Sequence, residues 1–223
     1  MVSALAHDAW VASLDCDHPE GPGAATATYP ADVRDSGAID AAVAEIVRER
    51  GGLDWVVCAA GIVRDRVSWK MNDAEWQDVI DVNLTGAFRT TRAATAALRR
   101  SDSGRIVFLS SINGLRGAFG QANYAAAKAG LVGLARSLAQ ELARDGVTVN
   151  VVAPGFIDTA LTAALPPELH EGAIARTPLG RTGSPDEVAA LVRYLCSDAA
   201  AFVTGVVVPI DGGQLLRCGG GER

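Results

Sequence analysis

The chain has no excess of positive charge. Its 223 residues carry 20 lysines and arginines against 26 aspartates and glutamates, a net charge of −6 with an isoelectric point near 5.1. A basic surface for nucleic acid or for an anionic membrane is therefore not expected. Cysteine is sparse as well. Cys16, Cys58, Cys196 and Cys218 are widely separated, with no CxxC pair and no Cys/His ligand spacing. They read as reduced cytosolic thiols, which excludes a disulfide framework and a zinc site. No apolar run is long enough to span a bilayer, and no basic-then-apolar leader opens the sequence, so the expected compartment is the cytoplasm. The three histidines, His7, His18 and His170, are scattered and read as exposed or loop residues.

What is present suits one globular domain spanning 1–223, with 49% hydrophobic and 21% charged residues and enough chain for a sizeable core. The pattern alternates strands and helices. A short β-type run at Trp10–Leu14 ends in Asp15, and a second over Ala27–Ala31 leads into Asp32 and Val33. Pro30 has no N–H for a ladder and puts the second run at a sheet edge. The loop between them, with Gly21, Pro22 and Gly23, resembles a dinucleotide loop only superficially, because no clear helix follows. Ile39–Arg50 has helical spacing and stops at Gly51 and Gly52. Leu53–Ala60 is a continuous apolar strand of the kind buried on both faces, ended by Gly61. Asp73 is a plausible N-cap, and a long helix is expected from about Asn83 to Arg100. Ser184, Pro185 and Glu187 together form a strong helix start, and Val203–Pro209 reads as the last strand. Strand–helix alternation of this kind predicts a doubly wound, Rossmann-like parallel sheet.

The central stretch runs from Arg105 to Val152: a strand, a glycine-rich loop, a long helix opening near Tyr124, and a second strand at Val147–Val152. Tyr124 and Lys128 are four apart and share one helix face. A neighbouring ammonium favours phenolate and lowers a tyrosine pKa from its usual value near ~10, which prepares a phenol for proton transfer. Ser111 stands at the end of the preceding strand, where parallel sheets present their chemistry, and its hydroxyl can hold the oxygen that Tyr124 protonates.

Ser111, twelve intervening residues, Tyr124, three more, Lys128, and then the run Val149–Thr159 form a pattern that resembles the short-chain dehydrogenase/reductase family, most of all its 3-oxoacyl-carrier-protein reductase branch. The resemblance covers about Leu5 to Gln214. It implies a reversible hydride transfer between a nicotinamide cofactor and a carbonyl or secondary alcohol, with Ser111, Tyr124, Lys128 and Asn83 as catalytic residues. Asn83 would hold a water linking Lys128 to solvent; the alternative is a helix-start asparagine with local bonds. Asp15 matches the family's NAD-selecting position, with Asp17 as a competitor, so NAD(H) is favoured and NADP(H) is possible. Asp32 and Val33 match an adenine contact. Cys58-Ala59-Ala60-Gly61 matches the family's Asn-Asn-Ala-Gly turn with both asparagines replaced, leaving Ala60 and Gly61 to approach a cofactor. Pro154, Gly155, Ile157 and Thr159 match the loop that holds the carboxamide, and Lys128 would also bond the nicotinamide ribose.

Leu161, Leu165 and Leu179 would lie in a substrate lid or in an ordinary surface helix. Relatives associate through two long helices, here Asn83–Arg100 and Tyr124–Arg144, where Ala93, Ala94, Ala97, Ala126, Ala127 and Ala129 permit close contact. A homodimer, a homotetramer or a hetero-oligomer with an intact homologue is implied. The substrate is a small carbonyl compound or an acyl thioester. Arg99, Arg100 and Arg144 lie near the carrier-protein positions, but Asp102 and Asp145 occupy the matching ones. The family's opening strand and glycine-rich pyrophosphate loop have no counterpart here. The expectation is a domain lacking its usual first strand, with a gap near ~10 Å between the Asp15 and Val56 strands. The alternative function is a catalytically weak partner or structural subunit with impaired cofactor binding.

Overall fold

The computed structural model describes residues 5–6, 9–16, 26–159, 162 and 166–216. His7, Asp17, His18, Gly21–Gly23, Leu161, Leu165 and Cys218 lie outside them. The elements are β1 (Ala12–Asp15), β2 (Ala27–Pro30), α1 (Ser36–Arg50), β3 (Trp55–Cys58), α2 (Asp73–Ile80), α3 (Gly86–Leu98), β4 (Arg105–Leu109), α4 (Ile112–Arg116), α5 (Ala122–Leu142), β5 (Thr148–Pro154), α6 (Pro167–Ala175), α7 (Pro185–Cys196) and β6 (Val207–Ile210). Among the described residues no helix is long and apolar enough to cross a membrane.

Every ladder is parallel. β3, β4, β5 and β6 form one sheet in that order, and β1 pairs with β2 in a separate two-stranded sheet. The centre of the larger sheet is β4 and β5, whose Ile106, Val107, Phe108, Val149, Val151 and Val152 are buried on both faces. Such uninterrupted apolar runs suit strands covered by helices on either side. Full burial of a side chain such as Phe108 is worth about 1.5–3 kcal/mol. β2 is an edge strand, as Pro30 requires.

Caps fix the helix ends. Asp35 accepts from the Ala38 N–H at the start of α1, and Gly51 closes that helix in the left-handed region at φ 78°. At α7 the Ser184 hydroxyl accepts from the Glu187 N–H while the Glu187 carboxylate accepts from the Ser184 N–H. The start of α2 differs from expectation: Asn72 is the cap, in a capping box with Glu75, and Asp73 is the first helical residue. The expected helix from Asn83 begins instead at Gly86. The preceding Asp81–Thr85 widens into one π-helical turn that joins α2 to α3.

Two further expectations change. Of the alanines offered for subunit contact, Ala94, Ala97 and Ala127 are buried in the protomer core, whereas Ala126 and Ala129 are exposed. β3 is not buried on both faces: only Val56 is, and Trp55, Val57 and Cys58 are half-buried. The reason is beside it. β1 and β3 do not pair, and a cavity of about 370 Å³ lies between them.

Candidate active site

Chemistry gathers where β4 ends. Beyond Leu109 the chain stays extended through Ser111 (φ −160°, ψ 154°), and the Ser111 hydroxyl caps α4 by accepting from the Asn113 N–H at 3.1 Å. Ser110 is buried and donates to the Lys128 carbonyl at 2.8 Å, tying the strand end to the middle of α5. Gly114 lets α4 lie flat against that point: a Cβ there would stand 2.8 Å from the Lys128 carbonyl carbon and Cβ. The two short-range ties bring Ser111 to the Tyr124–Lys128 face of α5. The Lys128 side chain is 4% exposed; its Nζ donates to the Leu109 carbonyl at 2.8 Å and lies 5.7 Å from the Tyr124 ring centre.

The electrostatics differ from the spacing argument. Burial raises the Tyr124 pKa above its ordinary value; Ser111, hydrogen-bonding the phenolic oxygen, pulls it down, and the Asp65 carboxylate pushes it up. The dominant influence on this phenol is the loss of water around the phenolate, not the neighbouring ammonium. Burial also falls on the lysine, bringing Lys128 down to about 8. The Cys58 thiol nearby is pushed up to about 12 by burial, with Lys128 pulling the other way, so it stays a neutral neighbour.

Asn83 sits in the π-helical turn and is 1% exposed. Its Oδ1 accepts from the Ile62 N–H at 2.8 Å and its Nδ2 donates to the Ile62 carbonyl at 2.9 Å. The amide thus clamps the loop after β3, twenty-one residues upstream, and among the described residues makes neither the local helix-start bonds nor a bond to Lys128. Gly61 lies between the clamp and the lysine: a Cβ there would be 3.4 Å from Lys128 Nζ and 3.5 Å from Asn83 Oδ1. Extra π-type turns of this sort are frequent at functional sites.

The remaining site residues follow the carboxyl ends of the strands. Asp15 ends β1 and lines the cavity mouth. Asp32 follows β2, but Arg34 engages its carboxylate, with Nε at 2.9 Å and Nη2 at 2.6 Å, and lowers its pKa. Val33 packs against Gly86, where a Cβ would approach it to 2.7 Å. Ala60 and Gly61 are exposed beyond β3. Pro154 ends β5. Gly155 is needed for a protein contact, since a Cβ there would stand 2.8 Å from Asp211 and from Gln214 Oε1. Ile157 bridges to Gly183, and its carbonyl accepts from the Thr162 hydroxyl. The Thr159 hydroxyl lies 3.3 Å from that of Thr162. His170, expected to be exposed or in a loop, is half-buried in α6: its Nε2 is 2.7 Å from the Thr162 carbonyl and its ring stands edge-on to Phe156 at 5.0 Å.

Sequence reasoning missed the polar ring around Tyr124. Gln121 donates to Asp65 and accepts from Asn113 at 2.9 Å. Asn123 is fully buried; its Nδ2 donates to the carbonyls of Arg64 and Glu75, and its Oδ1 accepts from the Tyr124 N–H. An asparagine in the first turn of an apolar helix, next to the tyrosine, was the available signal.

The profile of the family described as "Enoyl-(Acyl carrier protein) reductase" matches residues 14–214. The chain is 45% identical over 184 residues to the 3-oxoacyl-[acyl-carrier-protein] reductase FabG of Escherichia coli (strain K12), covering 82% of this chain and 75% of that one. It is 43% identical over 183 residues to the 3-oxoacyl-[acyl-carrier-protein] reductase MabA of Mycobacterium tuberculosis (strain ATCC 25618 / H37Rv), covering 82% and 74%, and 44% identical over 183 residues to the MabA protein of Mycobacterium avium, covering 82% and 72%. With this fold, the Ser111–Tyr124–Lys128 cluster and these similarities together, the chain belongs to the short-chain dehydrogenase/reductase family of oxidoreductases.

Proposed function

We propose that residues 1–223 form one short-chain dehydrogenase/reductase domain that acts as a ketoreductase. The observation that carries this reading is the convergence of Ser111, Tyr124 and Lys128 at the end of β4. In reduction Tyr124 gives its phenolic proton to the substrate oxygen, and in oxidation it takes that proton back. Ser111 donates a hydrogen bond to the same oxygen and fixes its position. Lys128 supplies the positive charge that favours the phenolate as it forms, and Asn83 keeps the Ile62 loop in place beside it. The raised pKa of Tyr124 keeps the phenol protonated at neutral pH, the state that reduction needs.

The strand ends fit a nicotinamide dinucleotide at its ribose and nicotinamide ends. Gly61 leaves bare backbone where a side chain would crowd the Lys128 ammonium. Asp15 would accept hydrogen bonds from the adenosine ribose and repel a 2′-phosphate, which favours NAD(H) over NADP(H). Ala60, Val33 and the Pro154–Thr159 segment would line the rest, with Asp32 contributing through its Arg34 pair. When bound, the cofactor supplies or accepts the hydride.

The substrate class proposed is the carbonyl of an acyl thioester, supported by relatives that are named 3-oxoacyl-carrier-protein reductases. The profile description names enoyl reduction, but a tyrosine and a serine set to hold one oxygen suit a carbonyl better. Arg99, one candidate for an acidic carrier, is already paired with Asp145 at 2.7 Å, so a small thioester is the first substrate to try. A homo-oligomer using the exposed part of α5 is proposed as the assembly. That β1 and β3 stand in separate sheets with a cavity between them favours a second reading, a partner subunit with weak cofactor binding. Titration with NADH and NADPH, followed by turnover of an acetoacetyl thioester, separates the two. Saturable nucleotide binding and turnover lost in Tyr124→Phe support the enzyme. No binding at millimolar nucleotide overturns it for this chain.

A further inference from the structure

Ser111 and Tyr124 stand on different helices, one at the cap of α4 and the other in the first turn of α5. Between them the chain turns through Gly117 and Gly120, both in the left-handed region at φ 75° and 77°. Asn113 bridges the two helices. Its N–H donates to the Ser111 hydroxyl at 3.1 Å, and its Nδ2 donates to Gln121 Oε1 at 2.9 Å. Three residues before Tyr124, the Gln121 carbonyl accepts from the Ala125 N–H at 2.8 Å, the bond that opens α5.

Gln121 occupies the N-cap position of α5, yet its side chain makes no cap bond there. The amide faces outward, and its Nε2 donates to both Asp65 carboxylate oxygens, at 3.1 and 3.0 Å. At the other end Arg116 Nε donates to Asn113 Oδ1 at 3.2 Å. Four side chains therefore form one line, from Arg116 through Asn113 and Gln121 to Asp65, with every donor pointing the same way. The direction is forced. A guanidinium only donates and a carboxylate only accepts, so each amide between them has one orientation that satisfies both neighbours. Bonds in such a line polarise one another. The Asp65 end belongs to the loop after β3, which Asn83 clamps at Ile62 and which the Arg66 N–H joins to the Gly120 carbonyl at 2.7 Å.

We propose that Asn113 and Gln121 are positioning residues, a one-way relay between Arg116 and Asp65 that holds Tyr124 against Ser111 for proton transfer. The role rests on the ketoreductase reading. Both amides act through the cap that carries Ser111 and the first turn that carries Tyr124, not on the reacting atoms.

Reversing one link tests it. Gln121→Glu sets a second carboxylate against Asp65, where the line needs a donor. Two carboxylates in contact share a proton, and one of them titrates above its ordinary value of about 4. At low pH the shared proton restores the donor; as pH rises it leaves and the charges repel. Lys128, at about 8, and Tyr124, raised by burial, hold their protons from pH 5 to 7, so a change in that window belongs to the new pair. The variant should show kcat near wild type at pH 5 and at least about tenfold lower at pH 7, with KM within about twofold, while wild-type kcat stays flat. Its Tm should fall over the same window, because a carboxyl whose pKa is raised by folding loses its contribution as it ionises. Gln121→Glu/Asp65→Asn exchanges amide and carboxylate, so donor meets acceptor at every pH; it should recover both kcat and Tm at pH 7. A flat profile in Gln121→Glu, or a double variant no better than the single one, overturns the proposal. A Tm that follows pH while kcat does not makes the line a tie of the fold and overturns the positioning role. A wild type that turns over no carbonyl compound fails the ketoreductase reading instead; recovery of Tm by the double variant then still supports the relay, and its absence overturns it.

Discussion

The Lys128 ammonium donates to the Leu109 carbonyl at 2.8 Å while almost wholly removed from water. Among the described residues its hydrogen-bond partner is that backbone oxygen, and burial brings its pKa to about 8 against an ordinary 10.5. The consequence for stability has a definite sign. Below about pH 8 both folded and unfolded states carry the proton, and the burial penalty is fully present. Between pH 8 and 10.5 the folded state releases it first, so this group's contribution rises with pH. Lys128→Met should remove that rise, which is on the order of 3 kcal/mol. Urea denaturation of both proteins from pH 7 to 10 measures it; parallel curves would refute the buried, depressed lysine.

Tyr124→Phe should lower turnover about 10²–10⁴-fold while leaving Tm nearly unchanged. The raised phenol pKa adds a directional expectation. Reduction should hold its rate well into the alkaline range, and oxidation should climb as the phenolate forms. Profiles of kcat/KM against pH in the two directions test this, and an oxidation rate that is flat from pH 7 to 10 would contradict it.

Gly114→Ala forces a methyl within 2.8 Å of the α5 backbone. Overpacking of this kind typically costs about 1–3 kcal/mol. Since α4 carries Ser111 at its cap, kcat should fall together with Tm, and a substitution silent in both would show that α4 does not set the position of Ser111.

Ser184→Ala removes one half of the α7 capping box and should cost about 1 kcal/mol. Because the box follows Gly183, which bridges to Ile157, any loosening should appear in the KM for nucleotide, while kcat at a temperature well below Tm should not change. Thermal unfolding and initial rates on the same samples check both halves of the statement.

Asp15→Asn removes the charge at the β1 end. The ratio of NADP(H) to NAD(H) affinity should rise about tenfold or more, equivalent to roughly 1.4 kcal/mol. Titration with the four nucleotides reads the ratio directly.

Elements whose residues announce themselves locally were legible in the sequence. The apolar run of β4, the serine–proline–glutamate start of α7 and the four-residue spacing of Tyr124 and Lys128 each rest on neighbours along the chain. What depends on remote neighbours was not. Tyr124 was expected to be acidic because the lysine is close in sequence; burial by the rest of the fold decides the opposite. Asn83 was expected to open a helix, but it lies in a π-helical turn and its partner is Ile62, twenty-one residues upstream. Asp32 was expected to match an adenine contact, and the engagement of its carboxylate by Arg34 two residues on was not foreseen. The gap beside β3 was anticipated, but that it would remain as a cavity, and not close by β1 meeting β3, could be read only from the assembled helices around it.

Because β1 and β2 share no ladder with the four-stranded sheet among the described residues, side-chain packing joins the two halves: α1 against α3, and Leu14 and Tyr29 in the cluster that holds Val56 and Phe108. Amide hydrogens of Thr28 and Tyr29 should therefore exchange with deuterium by a low-energy opening, well before those of Ile106 and Val151.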